Sequence, residues 1–142
     1  MDEFEIRTGS PDSAARGQLL DALLTYNREV TGITEDEELS GFLRDEAGDL
    51  IAGVYGWAYG GTGEIALIWV REDHRGRGLG SRILNAFEAK VESMGGRQMV
   101  MRTHSFQAPD FYRAHGYGDV AAIDDYPAGH RYHLLRKSLG AQ

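Results

Sequence analysis

Residues 64–93 constrain this chain more than any other stretch. An apolar run, a turn rich in glycine and arginine, and an amphipathic segment follow one another without a break. Residues 65–70 (IALIWV) are short, β-branched and aromatic, with turn signals on either side, which predicts a buried strand. Leu79, Ile83, Phe87, Val91 and Met94 recur at steps of three and four and predict one face of a helix. Gly95 and Gly96 stand where such a helix closes. Between strand and helix lie Arg75, Gly76, Arg77, Gly78, Leu79 and Gly80. Glycines there allow a tight turn and close approach of a ligand. The first N–H groups of a helix lack intrahelical acceptors and carry partial positive charge, which suits an anionic group such as phosphate.

Three phosphate-binding patterns can be set against this turn. A P-loop requires Gly-x-x-x-x-Gly-Lys-Ser/Thr, which the chain lacks. A dinucleotide fingerprint would put its third glycine at Ser81 and an acid at the end of the next strand, where Arg102 stands. The pattern Arg/Gln-x-x-Gly-x-Gly/Ala is met by Arg75, Gly78 and Gly80.

Composition narrows the chemistry. A chain of 142 residues is expected to form one domain over residues 1–142. It contains no cysteine, which excludes disulfides, thiolate metal sites and a cysteine acyl-enzyme. The histidines at 74, 104, 115, 130 and 133 show no metal-ligand spacing, so no metal is expected and they read as structural or surface residues. A net charge of −7 argues against nucleic-acid binding and mildly favours cationic partners. An acidic start without an apolar segment, and no run of spanning length, predict a cytoplasmic protein with no membrane partner.

Along the rest of the chain, residues 4–8 predict a first strand. Ser10, Pro11 and Asp12 mark a helix start before a helix over 14–30, whose broad apolar face carries Leu19, Leu20, Leu23 and Leu24. Thr34-Glu35-Asp36-Glu37 has the form of a capping box opening a short second helix or turn. Residues 41–45 and 50–59 predict a hairpin around 46–49, and 60–63 a second turn. A strand over 98–103, a short helix over 108–115 and a closing hairpin of 119–123 with 132–135 complete the order. The expected fold is mixed α/β: a central, mostly antiparallel mixed sheet of about six to seven strands with helices on both faces. Trp57, Tyr59 and Trp69 read first as core and second as lining a pocket.

Downstream of the glycine turn, residues 105–117 read SFQAPDFYRAHGY. Ala108, Phe111, Tyr112, Gly116 and Tyr117 fit the spacing Asn-x-x-Ala-x-x-Leu/Phe-Tyr-x-x-x-Gly-Phe, with Ser105 in place of the asparagine. With Arg75, Gly78 and Gly80 in the right order before it, the chain resembles the GNAT superfamily of acyl-CoA-dependent N-acetyltransferases.

The resemblance implies a set of roles. Acetyl-CoA would lie in a V-shaped gap between the strands at 65–70 and 98–103. Backbone groups near Ile68, Trp69 and Val70 would pair with its pantetheine arm. Its pyrophosphate would rest on backbone N–H groups from about Gly76 to Ser81, through Arg77, Gly78, Leu79 and Gly80, with Arg75 adding charge. Ser105, Ala108 and Phe111 would complete the cofactor contacts. Tyr112 matches the family's general acid toward the departing thiolate, and a phenol suits that task. Glu64 matches the position of the glutamate base in histone-type members, while other members use a water chain. The implied activity is N-acetyl transfer to a primary amine, small or peptidic, by direct attack in a ternary complex. Family members often form homodimers. The rival is a non-catalytic acyl-CoA-binding module, and a weaker one is a transferase of longer acyl groups. Glu35, Asp36, Glu37 and Glu38 read first as a charged helix start. The alternative pairs them with Asp124 and Asp125 around a cationic acceptor.

Overall fold

The computed structural model describes residues 4–140, and the chain divides into two compact units, before and after Thr34. In the first unit residues 4–8 form no strand. Helix α1 spans Ser13–Thr31. Its N-cap is Asp12 rather than Ser10: the Asp12 carboxylate accepts from the Ala15 N–H at 3.0 Å. Proline disfavours helical backbone in the residue before it, so the helix starts after Pro11. Gly32, at φ 72°, closes α1 by donating its N–H to the Arg28 carbonyl.

The second unit is a six-stranded sheet with two helices. The strands are β1 (Asp36–Arg44), β2 (Leu50–Tyr59), β3 (Thr62–Val70), β4 (Gln98–His104), β5 (Gly118–Asp124) and β6 (Arg131–Ser138), in the spatial order β1-β2-β3-β4-β6-β5. Only β3 and β4 run parallel; the other neighbours are antiparallel. Helix α2 (Leu79–Ser93) crosses over between β3 and β4, and α3 (Pro109–Ala114) precedes β5. The short second helix or turn expected to open at residues 34–37 is absent: Asp36 to Glu38 belong to β1 and pair with Tyr59 to Trp57. Leu39 and Leu43 face the core while Phe42 faces out, a period of two that only a strand can satisfy.

Within this unit both helices lie on one face of the sheet. Ile83, Leu84, Phe87 and Val91 of α2 pack with Ala52, Val54, Ile65, Met99, Met101 and Leu135, and Tyr112 and Tyr117 join the same core. Close approach of α2 requires glycine at 63, where a Cβ would lie 2.6 Å from Val91 Cγ2 and 2.7 Å from Met99 Sδ. Trp57 and Trp69 are not core residues: they alternate onto the opposite face and keep 36% and 46% of their surface exposed. Among the described residues no helix is long and apolar enough to cross a membrane.

The parallel ladder between β3 and β4 ends early. Its pairs run only from Thr62 with Gln98 to Ile65 with Met101. At the same point β3 carries an extra residue against β2, since Gly56 opposes Ile65 while Tyr55 opposes Leu67. This bulge at Ala66 re-aims the strand, and bulges commonly increase local twist. The rest of β3 therefore leaves β4, and its edge toward β4 carries no ladder.

Candidate active site

The turn leaving β3 is anchored by one arginine. The Arg71 N–H donates to the Ile51 carbonyl at 2.7 Å. Its guanidinium donates to Asp73 from Nε at 2.7 Å and from Nη2 at 3.1 Å, and reaches Asp45 Oδ2 from Nη1 at 3.3 Å. Hydrogen bonds from Arg71 first, then from His74, hold the Asp73 carboxyl well below the usual carboxylate range. Arg75 folds back, its Nε donating to the Val70 carbonyl at 2.9 Å. Gly78 is the N-cap of α2 at φ 76° and brings no side chain to the first N–H groups of the helix. Those of Leu79, Gly80 and Ser81 are left for a ligand. At Gly80 a Cβ would stand 3.3 Å from Phe111 Cζ, so the small residue also sets the spacing between α2 and α3.

This turn forms one end of a cleft of about 760 Å³. Its walls are the unladdered part of β3, the end of β4 and the start of α3. Of the residues the sequence singles out, Ile68, Trp69, Val70, Arg75, Gly76, Gly78, Leu79, Gly80, Ser81, Ala108, Phe111 and Tyr112 line it. Three expected residues do not. Arg77 is exposed beside the turn. Ser105 is engaged elsewhere, donating its N–H to the Arg131 carbonyl at 2.8 Å and accepting from the Arg131 N–H at its Oγ, at 3.0 Å. Glu64 faces away from α2, and its carboxylate accepts from Arg102 Nη1 at 3.1 Å. Thr103, Phe106 and Gln107 also line the cleft and were not singled out. Their only sequence signal is their place at or just after the end of a strand whose partner turns away, and that divergence is a property of the sheet.

Tyr112 is 7% exposed and packs against Phe111 and Tyr117 at ring distances of 5.1 and 6.2 Å. Burial pushes its pKa up to about 12, so the phenol keeps its proton well above neutrality and is available as a proton donor. The two acidic runs that the alternative reading places around an acceptor do not face each other. Residues 36–38 lie on edge strand β1 and Asp124 ends edge strand β5, five strand spacings or roughly 24 Å away. Asp124 is also paired, accepting from Arg131 Nε at 2.8 Å. Among the described residues no three histidine or acidic side chains are grouped to hold a metal.

A parallel ladder that opens at a bulge, beside a helix start without a side-chain cap, gives a cleft able to hold a long anionic ligand along exposed backbone. Comparison with known proteins identifies the family. The profile of the acetyltransferase (GNAT) family matches residues 8–117. A blasticidin-S acetyltransferase from Streptomyces morookaense is 41% identical over 95 residues, which are 66% of this chain and 70% of that protein. The crystal structure of an acetyltransferase from Bacillus cereus ATCC 14579 superposes with a TM-score of 0.81 at 30% identity, covering 96% of this chain and 98% of the other. A structure from Agrobacterium tumefaciens shares the fold with a TM-score of 0.89 at 20% identity, over 96% and 99% of the two chains. With its family motif, its sheet and its cleft in agreement, this chain belongs to the GNAT family of acetyltransferases.

Proposed function

We propose that the chain, working as a single acetyltransferase domain, moves an acetyl group from acetyl-CoA to a primary amine by direct attack in a ternary complex. The observation that carries this reading is the shared cleft: the opened β3 edge, the uncapped start of α2 and Tyr112 line one space. The residues fit the co-substrate. At Gly76 and Gly78 a Cβ would meet nothing within 4 Å, so the backbone there is open to a pyrophosphate. Ile68, Trp69 and Val70 offer a strand edge to the pantetheine arm. Bound there, acetyl-CoA supplies a thioester whose carbonyl carbon takes the amine nitrogen as the C–S bond breaks.

The chain's own groups handle charge and protons. Backbone N–H groups of the freed β3 edge stabilise negative charge on the carbonyl oxygen. Tyr112, neutral at pH 7, delivers a proton to the leaving sulfur. Glu64 lies outside the cleft lining, so the proton lost by the amine reaches its carboxylate through water, with Arg102 holding that carboxylate in place. The absence of cysteine supports direct attack over a thiol-linked intermediate.

Calorimetric titration with acetyl-CoA, and separately with NADPH, tests the cleft. Acetyl-CoA is expected to bind, NADPH not, and Gly78→Glu is expected to weaken binding by crowding the start of α2. An amine screen read by thiol release, with blasticidin S first in the panel because of the Streptomyces relative, then tests transfer. Absence of acetyl-CoA binding by the unaltered protein removes the reading.

A further inference from the structure

Beside the cleft, five aromatic side chains from the end of β4 and the β5–β6 hairpin form one cluster. His104 stacks on Phe106 (centroids 5.2 Å apart, planes at 5°) and on Tyr132 (4.4 Å, 19°). Tyr126 tilts against both His104 and Tyr132, at 5.3 and 4.7 Å. His130 stands edge-on to Phe106 at 4.9 Å. The cluster is preset. His104 and Tyr132 are register partners across β4 and β6. The His104 Nδ1 lies 2.9 Å from the Tyr126 carbonyl, which can only accept, so that nitrogen carries the proton and the ring plane is held. The stack is nevertheless unfinished: Phe106 and Tyr126 keep 57% and 52% of their surface exposed, and Phe106 also lines the cleft.

We propose that this stack is the acceptor subsite of the transfer reaction, and that it selects amines whose body carries a planar aromatic or heteroaromatic ring. The inference rests on the acetyltransferase reading above and adds the acceptor class to it. Parallel rings gain from an offset stacked neighbour beyond what burying their area gives, and an aliphatic group offers no such geometry. Rings already held in place lose little freedom when a ligand arrives, so the gain is kept as affinity. Phe106 belongs to both stack and cleft, so a ring docked on it keeps an attached amine beside the cleft. The chain's net charge of −7 draws the ammonium form toward the molecule.

A matched pair of ligands tests the proposal. 2-Phenylethylamine and 2-cyclohexylethylamine share amine and linker but differ in having a flat or a puckered ring. Calorimetry of the full chain, saturated with CoA, is expected to show the phenyl compound binding about five- to tenfold tighter. In Phe106→Leu, which keeps apolar bulk and removes the ring face, the ratio is expected to fall close to one. Equal binding, tighter binding of the cyclohexyl compound, or no binding of either overturns the subsite, and the wild-type ratio decides even where the variant does not fold. A preference that survives in Phe106→Leu also overturns it. Thiol release with acetyl-CoA and the same two amines separates the two readings. Transfer without a ring preference removes the subsite alone, whereas ring-selective binding without thiol release removes the transfer reading alone.

Discussion

At the scale of single residues, the cleft works by what each group is prevented from doing. Tyr112 stays protonated far into the alkaline range because burial raises its pKa to about 12. Tyr112→Phe is expected to lower kcat by about a hundredfold or more while acetyl-CoA affinity by calorimetry stays near the wild-type value; an unchanged kcat removes the tyrosine from the mechanism. The same shift has a stability consequence. The folded pKa lies above the unfolded value of 10, so the contribution is complete below pH 10 and is lost as pH rises toward 12. Alkaline unfolding followed by circular dichroism is expected to steepen in that window, and less so in Tyr112→Phe. Arg71 acts on the cleft only through the turn it anchors. Arg71→Ala removes the guanidinium from Asp45 and Asp73 together and is expected to raise KM for acetyl-CoA several-fold with a smaller change in kcat. A kcat loss without a KM effect would place Arg71 elsewhere in the reaction.

At the scale of elements, α2 has two duties that meet at its ends. Its start presents N–H groups to the cleft, and its body closes the core under β1 to β3. Leu84 is fully buried, and Leu84→Ala is expected to cost about 2–5 kcal/mol in urea unfolding through the cavity it leaves. A loss under 1 kcal/mol would mean the helix repacks freely. This helix was legible because its apolar period, glycine turn and closing Gly95 (φ 86°) all agree. The misread elements lacked that agreement. Residues 34–37 carry a local helix-start signal, but the alternation of Leu39 and Leu43 and the ladder to β2 outweigh it. Residues 4–8 alternate enough for a strand, yet alternation alone supplies no partner to pair with.

At the scale of the whole sheet unit, the opened β3–β4 ladder needs compensation, because its strand pairing is only four register positions long. A buried polar cluster spans that join. Glu88 of α2, only 6% exposed, accepts from the Tyr117 hydroxyl at 2.7 Å and from Lys137 Nζ of β6 at 2.7 Å. Burial and the hydrogen bond to Glu88 push the Tyr117 pKa far up, so its hydroxyl remains a donor. Lys137→Met leaves the Glu88 carboxylate without its counter-charge and is expected to cost about 3 kcal/mol, read as a lowered urea midpoint. If the midpoint holds, the lysine is only a surface charge. Nothing in the local sequence around residues 88, 117 and 137 pairs them, since Tyr117 and Lys137 lie 29 and 49 positions after Glu88.

The amino-acid order by itself determined the units whose signals are local: the glycine turn, the period of α2, the hairpins, and the motif spacing that carries the family. It also determined the chemistry that lack of cysteine rules out. Tertiary structure decided where the strands part. That depends on a bulge at Ala66, visible only once β3 has β2 on one side and β4 on the other. It likewise decided that Glu64 meets Arg102, that Ser105 serves Arg131, and that the rings of residues 104, 106, 126, 130 and 132 assemble beside the cleft. Period and capping are read over a few residues, whereas register and ring contact depend on which strands become neighbours.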